Sequence, residues 1–148
     1  MNIYLDTNIL MDVFIGETRP NYRYSIAILN ALKIKPELTG FVSVQSVTDI
    51  AYCFTKHEKE QRSVFYQNIK KLLLFLKLVT FTQAMSEQAL KAEPRDFEDL
   101  EQILCAESND CSWFITGDKE LLKTYGDDPK RINVISPEEF FRLTTKKN

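Results

Sequence analysis

Short apolar runs alternate with longer segments of helical periodicity along the chain. Asn2 to Leu5 is the first apolar run, of the kind found in strands that are buried on both faces. A helix is predicted to follow it from about Thr7 to Ile15 and to end at Gly16, and this change from strand to helix recurs. Further strands are predicted at Leu38–Val42, Leu78–Phe81, Trp113–Thr116 and Ile132–Ile135.

Apolar residues at helical spacing predict the remaining helices. One helix contains Ile26, Leu29 and Leu32, and it stops before Lys35-Pro36 because a residue that precedes proline disfavours the helical conformation. The last helix begins at the capping box Ser136-Pro137-Glu138-Glu139. The others are predicted over the apolar positions Val44, Val47, Ala51 and Phe54, and at Glu58–Leu76, Ser86–Ala92, Asp96 to about Ser108, and Lys119–Tyr125.

This alternation predicts an α/β fold with a parallel sheet that is covered by helices on both faces. With 148 residues, of which 44% are hydrophobic, one compact domain spanning residues 1–148 is expected. In such sheets ligands bind at the carboxyl ends of the strands. Asp6 directly follows the first strand and Asp118 follows the fourth, so these two aspartates are the first candidates for a functional site.

Composition restricts the function and the compartment. A net charge of −2 argues against general binding of nucleic acid, because non-specific affinity comes from Lys and Arg, so any nucleic-acid role is expected at a localised site. No membrane-length apolar run and no signal peptide are present, so a soluble cytoplasmic protein is expected. Cys53, Cys105 and Cys111 match no metal-binding spacing, and buried structural thiols in a reducing compartment are predicted.

The sequence lacks the motifs of several common kinds of catalytic chemistry. Neither GxGxxG nor GxxxxGK[ST] occurs, which argues against dinucleotide binding and P-loop hydrolysis. The single histidine, His57, lies in a charged stretch without a nucleophile motif nearby and is predicted to be an exposed residue at a helix end. Carboxylates near strand ends remain, and these are the ligands that Mg²⁺ and Mn²⁺ prefer.

Three segments carry a resemblance to a known family. They are Ile3-Tyr4-Leu5-Asp6-Thr7-Asn8-Ile9-Leu10, Asp96-Phe97-Glu98-Asp99 at a helix start, and Phe114-Ile115-Thr116-Gly117-Asp118 at a strand end. In order and spacing they resemble the PIN-domain family, including VapC-type toxins, over nearly the whole chain. The resemblance implies a three-layer α/β/α sandwich with a short parallel sheet, and a cluster of acids that binds Mg²⁺ or Mn²⁺.

The resemblance also implies the site residues. Four acids fall on the family positions and two polar residues accompany them: Asp6, Asp49, Asp99 and Asp118, with Asn8 and Thr116. Asp49 departs from the family, in which this acid is usually Glu, and its helical spacing alone predicts a solvent-facing residue. Asp99 lies on a helix edge beside the apolar stripe of Ile103 and Ala106.

Other roles stay open for several of these acids. Asp6 and Asp118 could cap the helices that follow them, and Asp96 could be either a helix cap or a further ligand. Asp12, one turn after Asn8, could face the site or water.

Converging carboxylates repel one another and have raised pKa values unless a divalent cation compensates their charge. A bound cation is therefore expected. Because many PIN domains cleave RNA, the resemblance implies a Mg²⁺- or Mn²⁺-dependent endoribonuclease acting on single-stranded RNA, with products that carry a 5′-phosphate and a 3′-hydroxyl. Family members in toxin pairs form homodimers and are neutralised by an antitoxin, so both kinds of partner are expected. Candidate contacts to RNA phosphates are Arg19, Arg23, Lys56, Arg95 and Lys119.

Two other functions compete with this prediction. The shorter acid at Asp49 is compatible with a non-catalytic PIN-like module that binds RNA or protein. A phosphotransfer or haloacid-type enzyme fits the fold class but lacks a second aspartate two residues after Asp6, where Asn8 stands. The apolar residues of the predicted helix Glu58–Leu76 are expected to pack in the core, with a dimer or antitoxin interface as the alternative.

Overall fold

The structure is a computed structural model that describes residues 1–56 and 59–145. The strands are β1 (Asn2–Leu5), β2 (Thr39–Ser43), β3 (Leu76–Val79), β4 (Trp113–Ile115) and β5 (Asn133–Ile135). The helices in this part of the chain are α1 (Thr7–Ile15), α2 (Tyr22–Ile34), α3 (Val44–Thr55), α4 (Lys59–Leu72), α5 (Gln83–Ala92), α6 (Phe97–Ser108), α7 (Lys119–Tyr125) and α8 (Pro137–Thr145).

The strands form one parallel sheet in the order β3-β2-β1-β4-β5. Side chains alternate across β1: Ile3 and Leu5 pack with residues of α1 to α4 and α8, whereas Tyr4 packs on the other face with residues of α5 to α7. The predicted α/β fold with helices on both faces of a parallel sheet is thus confirmed.

The strand order places a switch point at the centre of the sheet. From β1 the chain proceeds outward through β2 to β3, and it then returns to the other side of β1 as β4. Leu5 pairs with Ile115, so the carboxyl ends of β1 and β4 lie side by side. Ligands of open α/β sheets bind at such a switch point, which directs attention to Asp6 and Asp118.

The predicted capping box of the last helix is confirmed. The Ser136 hydroxyl accepts a hydrogen bond from the Glu139 amide at 3.2 Å, and the Glu139 carboxylate accepts one from the Ser136 amide at 3.2 Å. Helix α1 ends at Gly16, as predicted, where a φ of 98° favours glycine.

The boundaries around β3 are wrong in the sequence prediction. Helix α4 ends at Leu72 instead of Leu76, and β3 begins at Leu76 instead of Leu78. The reason is the continuous apolar run from Leu72 to Leu76, which fits a buried helix and a strand equally well. Helix α5 begins at Gln83, three residues before the predicted start at Ser86, because the Thr82 side chain caps it.

Two burial predictions change. Cys53 is exposed, while Cys105 and Cys111 are buried as predicted. Val44 is 45% exposed, because it lies in the first turn of α3, whose buried side chains are Ser46 and Ile50.

The apolar residues of the segment predicted as Glu58–Leu76 divide between core and surface. The buried ones are Phe65, Ile69, Leu72 and Leu76, which supports the core interpretation, while Val64 is 50% exposed. His57 and the predicted helix start at Glu58 lie outside the described residues. None of the helices within residues 1–56 and 59–145 has the length and hydropathy needed to cross a membrane.

The stack of Tyr4 on Phe114 makes a testable prediction about the core. The two rings are fully buried, 5.0 Å apart and nearly parallel. Phe114→Ala is expected to lower the free energy of unfolding by about 3–5 kcal/mol, because it leaves a cavity beneath the central strand. Urea denaturation measures the change, with Leu74→Ala as the control, since Leu74 is 85% exposed. A loss at Phe114 no larger than the loss at Leu74 would contradict this account of the core.

Candidate functional site

The carboxylate of Asp6 joins the ends of the two central strands. Asp6 is 5% exposed, and its Oδ1 accepts a hydrogen bond from the Thr7 amide at 2.6 Å. Its Oδ2 accepts one from the Thr116 hydroxyl at 2.7 Å and one from Asn8 Nδ2 at 2.8 Å. Because Thr116 follows β4, these bonds connect β1 with β4 through a single side chain.

A second set of bonds fixes the loop after β4. The Thr116 hydroxyl accepts from the Asp118 amide at 2.9 Å, and Asn8 Oδ1 accepts from the Gly117 amide at 2.8 Å. A Cβ atom at Gly117 would lie 2.8 Å from Asn21 Nδ2, so a larger residue here would displace the Asn21 side chain. Asn8 and Thr116 therefore lie beside Asp6 and Asp118 and hold them in place, and their role at the site stays a prediction.

The acids at the helix starts are also N-caps. Asp118 Oδ1 accepts from the amides of Glu120 and Leu121 at 2.8 and 3.2 Å. Asp96 Oδ1 accepts from the Asp99 amide at 3.0 Å, which confirms the capping interpretation for Asp96. In both side chains Oδ2 accepts no hydrogen bond from the described residues, so capping leaves one oxygen available.

The predicted acids converge on one cavity of about 280 Å³. Its acidic lining residues are Asp6, Asp49, Asp96, Glu98, Asp99 and Asp118. A neighbouring cavity of about 310 Å³ shares Asp96, Asp99 and Asp118 and adds Arg95 and Tyr125. A larger cavity of about 880 Å³ lies beside β5 and α8, and none of the predicted site residues lines it.

Asp49 is half-buried in this cavity, so the solvent-facing position predicted by its helical spacing alone is wrong. The hydroxyls of Ser46 and Thr7 lie 2.7 Å apart and bring the start of α3 against α1. The side of α3 that carries Asp49 therefore faces the cavity. The Gln45 side-chain amide donates to Asp49 Oδ1 at 2.8 Å and orients the carboxylate.

Asp12 faces neither the cavity nor water. It is 3% exposed and accepts hydrogen bonds from Arg19 Nε at 2.9 Å and from the Ser25 hydroxyl at 2.6 Å. The sequence left its orientation open, because the partners come from the following turn and from α2.

Two polar residues of α6 that line the cavity were missed by sequence reasoning. Glu98 lines it directly before Asp99, and Gln102 lines it one helical turn later. Gln102 is 3% exposed; its amide donates to Glu98 at 3.3 Å, and its Oε1 is buried without a hydrogen-bond partner in the described chain. The available signal was a glutamine between the buried residues Leu100 and Ile103 of an amphipathic helix, since buried amides need partners.

The electrostatics of the cavity favour bound protons or a cation. Burial, followed by the charges of Asp96 and Asp6, raises the pKa of Asp99 to about 7. Burial also raises the pKa of Asp6, and burial together with the charge of Asp49 raises that of Glu98. Several carboxylates in one cavity thus resist ionisation together.

The residues present fit a divalent cation. Oxygen ligands are what Mg²⁺ and Mn²⁺ prefer, and the orphaned Oε1 of Gln102 adds a neutral acceptor to the acids. In residues 1–56 and 59–145 no group of three acidic, histidine or cysteine side chains already has the arrangement of a metal site. The roles of Asp6, Asp49, Asp99 and Asp118 as ligands therefore remain predictions.

The basic candidates separate by position. Only Arg19 lines the acidic cavity, and Arg95 lines the neighbouring one. Arg23 stacks on Tyr24 in a cavity with Phe141, away from the acids. The remaining two, Lys56 and Lys119, line neither of the cavities that contain the acids.

Residues 2–120 match the family model described as a PIN domain, so the chain belongs to the PIN-domain family. A search of curated proteins gives no match.

Solved structures share the fold at low sequence identity. VapBC-1 from nontypeable Haemophilus influenzae matches with a TM-score of 0.66 and 14% identity over 93% of this chain and 99% of that chain. VapBC2 from Rickettsia felis, bound to a DNA fragment from its promoter, matches with a TM-score of 0.62 and 15% identity. The match covers 92% of this chain and 98% of that chain. VapC20 from Mycobacterium tuberculosis, a sarcin-ricin loop cleaving toxin, matches with a TM-score of 0.58 and 11% identity. The match covers 83% of this chain and 95% of that chain.

The raised pKa of Asp99 predicts how the metal-free protein responds to pH. Its pKa is about 7 in the folded chain, against an ordinary value of 3.8. Between these values the folded state binds more protons than the unfolded state, so stability is lost as the pH rises toward 7. In EDTA, the melting temperature is expected to fall over this range, and Asp99→Asn is expected to reduce that fall.

Asp127→Asn is the matched control for this measurement, because Asp127 is exposed and lies outside the acidic cavity. Equal pH dependence in the wild-type protein and Asp99→Asn would show that the carboxyl of Asp99 is not held in an unfavourable environment.

Proposed function

We propose that this protein is a divalent-cation-dependent endoribonuclease that hydrolyses phosphodiester bonds of single-stranded RNA. The observation that carries the proposal is the convergence of Asp6, Asp49, Asp99 and Asp118 on one cavity at the switch point of the sheet. Membership of the PIN-domain family supports it, as does the likeness of the fold to VapC20, which is named a sarcin-ricin loop cleaving toxin.

The residues of the cavity divide into cation ligands and residues that hold these ligands in place. Asp6, Asp49, Asp99 and Asp118 would hold Mg²⁺ or Mn²⁺, which would supply Lewis-acid activation of water and of the scissile phosphate. Thr116 and Asn8 donate to the Asp6 carboxylate and so favour its ionised, cation-binding form. In the described part of the chain no cysteine, serine, histidine or lysine lines the cavity, and with the acids engaged by a cation, water would be the nucleophile.

Cleavage of RNA by the purified protein tests the proposal. Activity is expected with Mg²⁺ or Mn²⁺ and is expected to disappear in excess EDTA. Asp6→Asn is expected to reduce the rate by about a hundredfold or more, because loss of residues that only support a metal ligand already costs about 10- to 100-fold. Asp49→Asn is expected to cause a smaller loss, because Asp49 is half-buried while Asp6 is buried.

Asp127→Asn serves as the control for loss of one negative charge. Cleavage that survives EDTA or Asp6→Asn would reject the metal-dependent mechanism. A folded protein that cleaves no single-stranded RNA but still binds it would support the non-catalytic module instead.

We further propose that the protein is the toxin of a toxin–antitoxin pair, acting in the cytoplasm as a homodimer that an antitoxin neutralises. The likeness of the fold to VapBC-1 and to a toxin–antitoxin complex from Klebsiella pneumoniae supports this role. The Klebsiella complex matches with a TM-score of 0.62 and 21% identity over 91% of this chain and 97% of that chain. Exposed apolar side chains on α3 and α4 are available for partners, among them Tyr52 at 62% and Tyr66 at 55% exposure.

Induced expression of a toxin arrests growth, whereas Asp6→Asn is expected to relieve the arrest, because it removes a cation ligand without removing a partner surface. Colony counts after induction measure this effect, with Asp127→Asn as the control. Growth arrest of equal strength with Asp6→Asn, at equal protein level, would contradict a toxin that acts by cleavage.

A further inference from the structure

A single basic side chain lies among the acids. In the described part of the chain, Arg19 is the only lysine or arginine that lines the acidic cavity. It lies in the turn between α1 and α2, where its amide donates to the Gly16 carbonyl at 3.0 Å. An RNA backbone that approaches this cavity is repelled, because both the backbone and the cavity are negatively charged. A positively charged side chain fixed at this point would reduce the repulsion.

Arg19 is anchored from inside the protein. Its Nε donates to Asp12 Oδ1 at 2.9 Å, and the Ser25 hydroxyl donates to Asp12 Oδ2 at 2.6 Å. The Asp12 side chain is 4% exposed, while that of Arg19 is 37% exposed. The buried carboxylate, held from both sides, therefore fixes the direction of an arginine that still reaches solvent.

The contact to Asp12 uses only part of the guanidinium. Neither terminal nitrogen of Arg19 has a hydrogen-bond partner among residues 1–56 and 59–145. Arg19 also forms no ion pair with Asp6, Asp49 or Asp99, although all of them line the same cavity. The terminal nitrogens form a planar fork whose geometry matches two oxygens of a phosphate group.

We propose that Arg19 binds a phosphate of the RNA strand beside the acid cluster, and that Asp12 and Ser25 position it for this contact. The proposal rests on the proposed function, since it names the substrate contact of that same site. Arg19 is then a substrate-binding residue, and Asp12 is a positioning residue that acts through it. A contact of this kind orients the strand without reading its sequence.

RNA binding separates this role from catalysis. All variants are made in the Asp6→Asn protein, and anisotropy of a short fluorescent single-stranded RNA is measured with Mg²⁺ over a series of KCl concentrations. The test variant is Asp12→Asn/Arg19→Gln, which removes both charges and leaves no unpaired buried carboxylate. Its RNA affinity is expected to fall about tenfold, the effect of one charge-assisted hydrogen bond. The slope of log affinity against log salt is expected to decrease by about 0.7, the value for one phosphate of a single strand.

The matched control is Glu107→Gln/Arg131→Gln. This pair is also partly buried, with a 3.1 Å contact, and it lies outside the acidic cavity. The control is expected to leave RNA affinity unchanged. Equal affinity and salt slope in the test variant and its parent, or a parent that binds no RNA, would overturn the proposal.

Asp12→Asn alone tests the positioning role. It keeps the charge of Arg19 but weakens its anchor, so RNA affinity is expected to fall while the salt slope stays near that of the parent. A merely structural Asp12 would lower the melting temperature and leave RNA affinity unchanged, which would overturn this part of the proposal.

Arg19 has one alternative role, which is to compensate the negative charge of the acids instead of binding RNA. Titration with Mn²⁺ distinguishes the two roles. For this titration the variant is made in the chain that keeps Asp6, and Asp12→Asn/Arg19→Gln is expected to bind Mn²⁺ about as tightly as the wild-type chain. Tighter Mn²⁺ binding with unchanged RNA affinity would show that Arg19 compensates the acids and would overturn the proposal.

The role of Arg19 and the proposed function can fail separately. If the wild-type chain cleaves no RNA but the test variant loses RNA affinity, the proposed function fails and the role of Arg19 stands. If the wild-type chain cleaves RNA and the test variant binds it as tightly as its parent, the proposed function stands and the role of Arg19 fails.

Discussion

The carboxylate of Asp6 is removed from water at the point where the two central strands end, and the architecture of the site depends on how it is satisfied. Three neutral donors surround it: the Thr7 amide, Asn8 Nδ2 and the Thr116 hydroxyl. They supply hydrogen bonds but no opposite charge, so burial still raises the pKa of Asp6. The same bonds tie β1 to the loop after β4, which makes the strand ends and the acid one structural unit.

Helix starts concentrate further acids around this unit. Asp118 and Asp96 cap α7 and α6, and the amides at a helix start carry partial positive charge that favours a nearby carboxylate. Capping uses one oxygen of each side chain and fixes its direction. The local signals that begin helices therefore supply Asp6, Asp96 and Asp118, three of the six acids around this cavity of about 280 Å³.

Residues within a few positions of a strand end were predictable, because a parallel sheet brings strand ends together irrespective of its helices. Asp6 and Asp118 belong to this class. Asp49 was harder to place, since helical spacing relates it only to its own helix and the contact of Ser46 with Thr7 decides which side meets the cavity. The roles of Asp12 and Gln102 depend on side chains from other turns. The predicted start of β3 was wrong for a different reason, because the run Leu72 to Leu76 fits two structures.

The two buried aspartates of the first helical segment show why the cavity suits an external cation. Asp12 has an internal counter-charge in Arg19 at 2.9 Å, so its charge is balanced within the chain. Asp6 lies nearby in sequence, yet its hydrogen-bond donors are all uncharged, and the side chains that share its cavity are mostly acidic. Had the fold required only a buried carboxylate, a second arginine would have stabilised it. A site whose negative charge is not balanced within the chain is stabilised when positive charge comes from outside it. Protons can provide this charge at low pH, and a divalent ion can provide it at neutral pH.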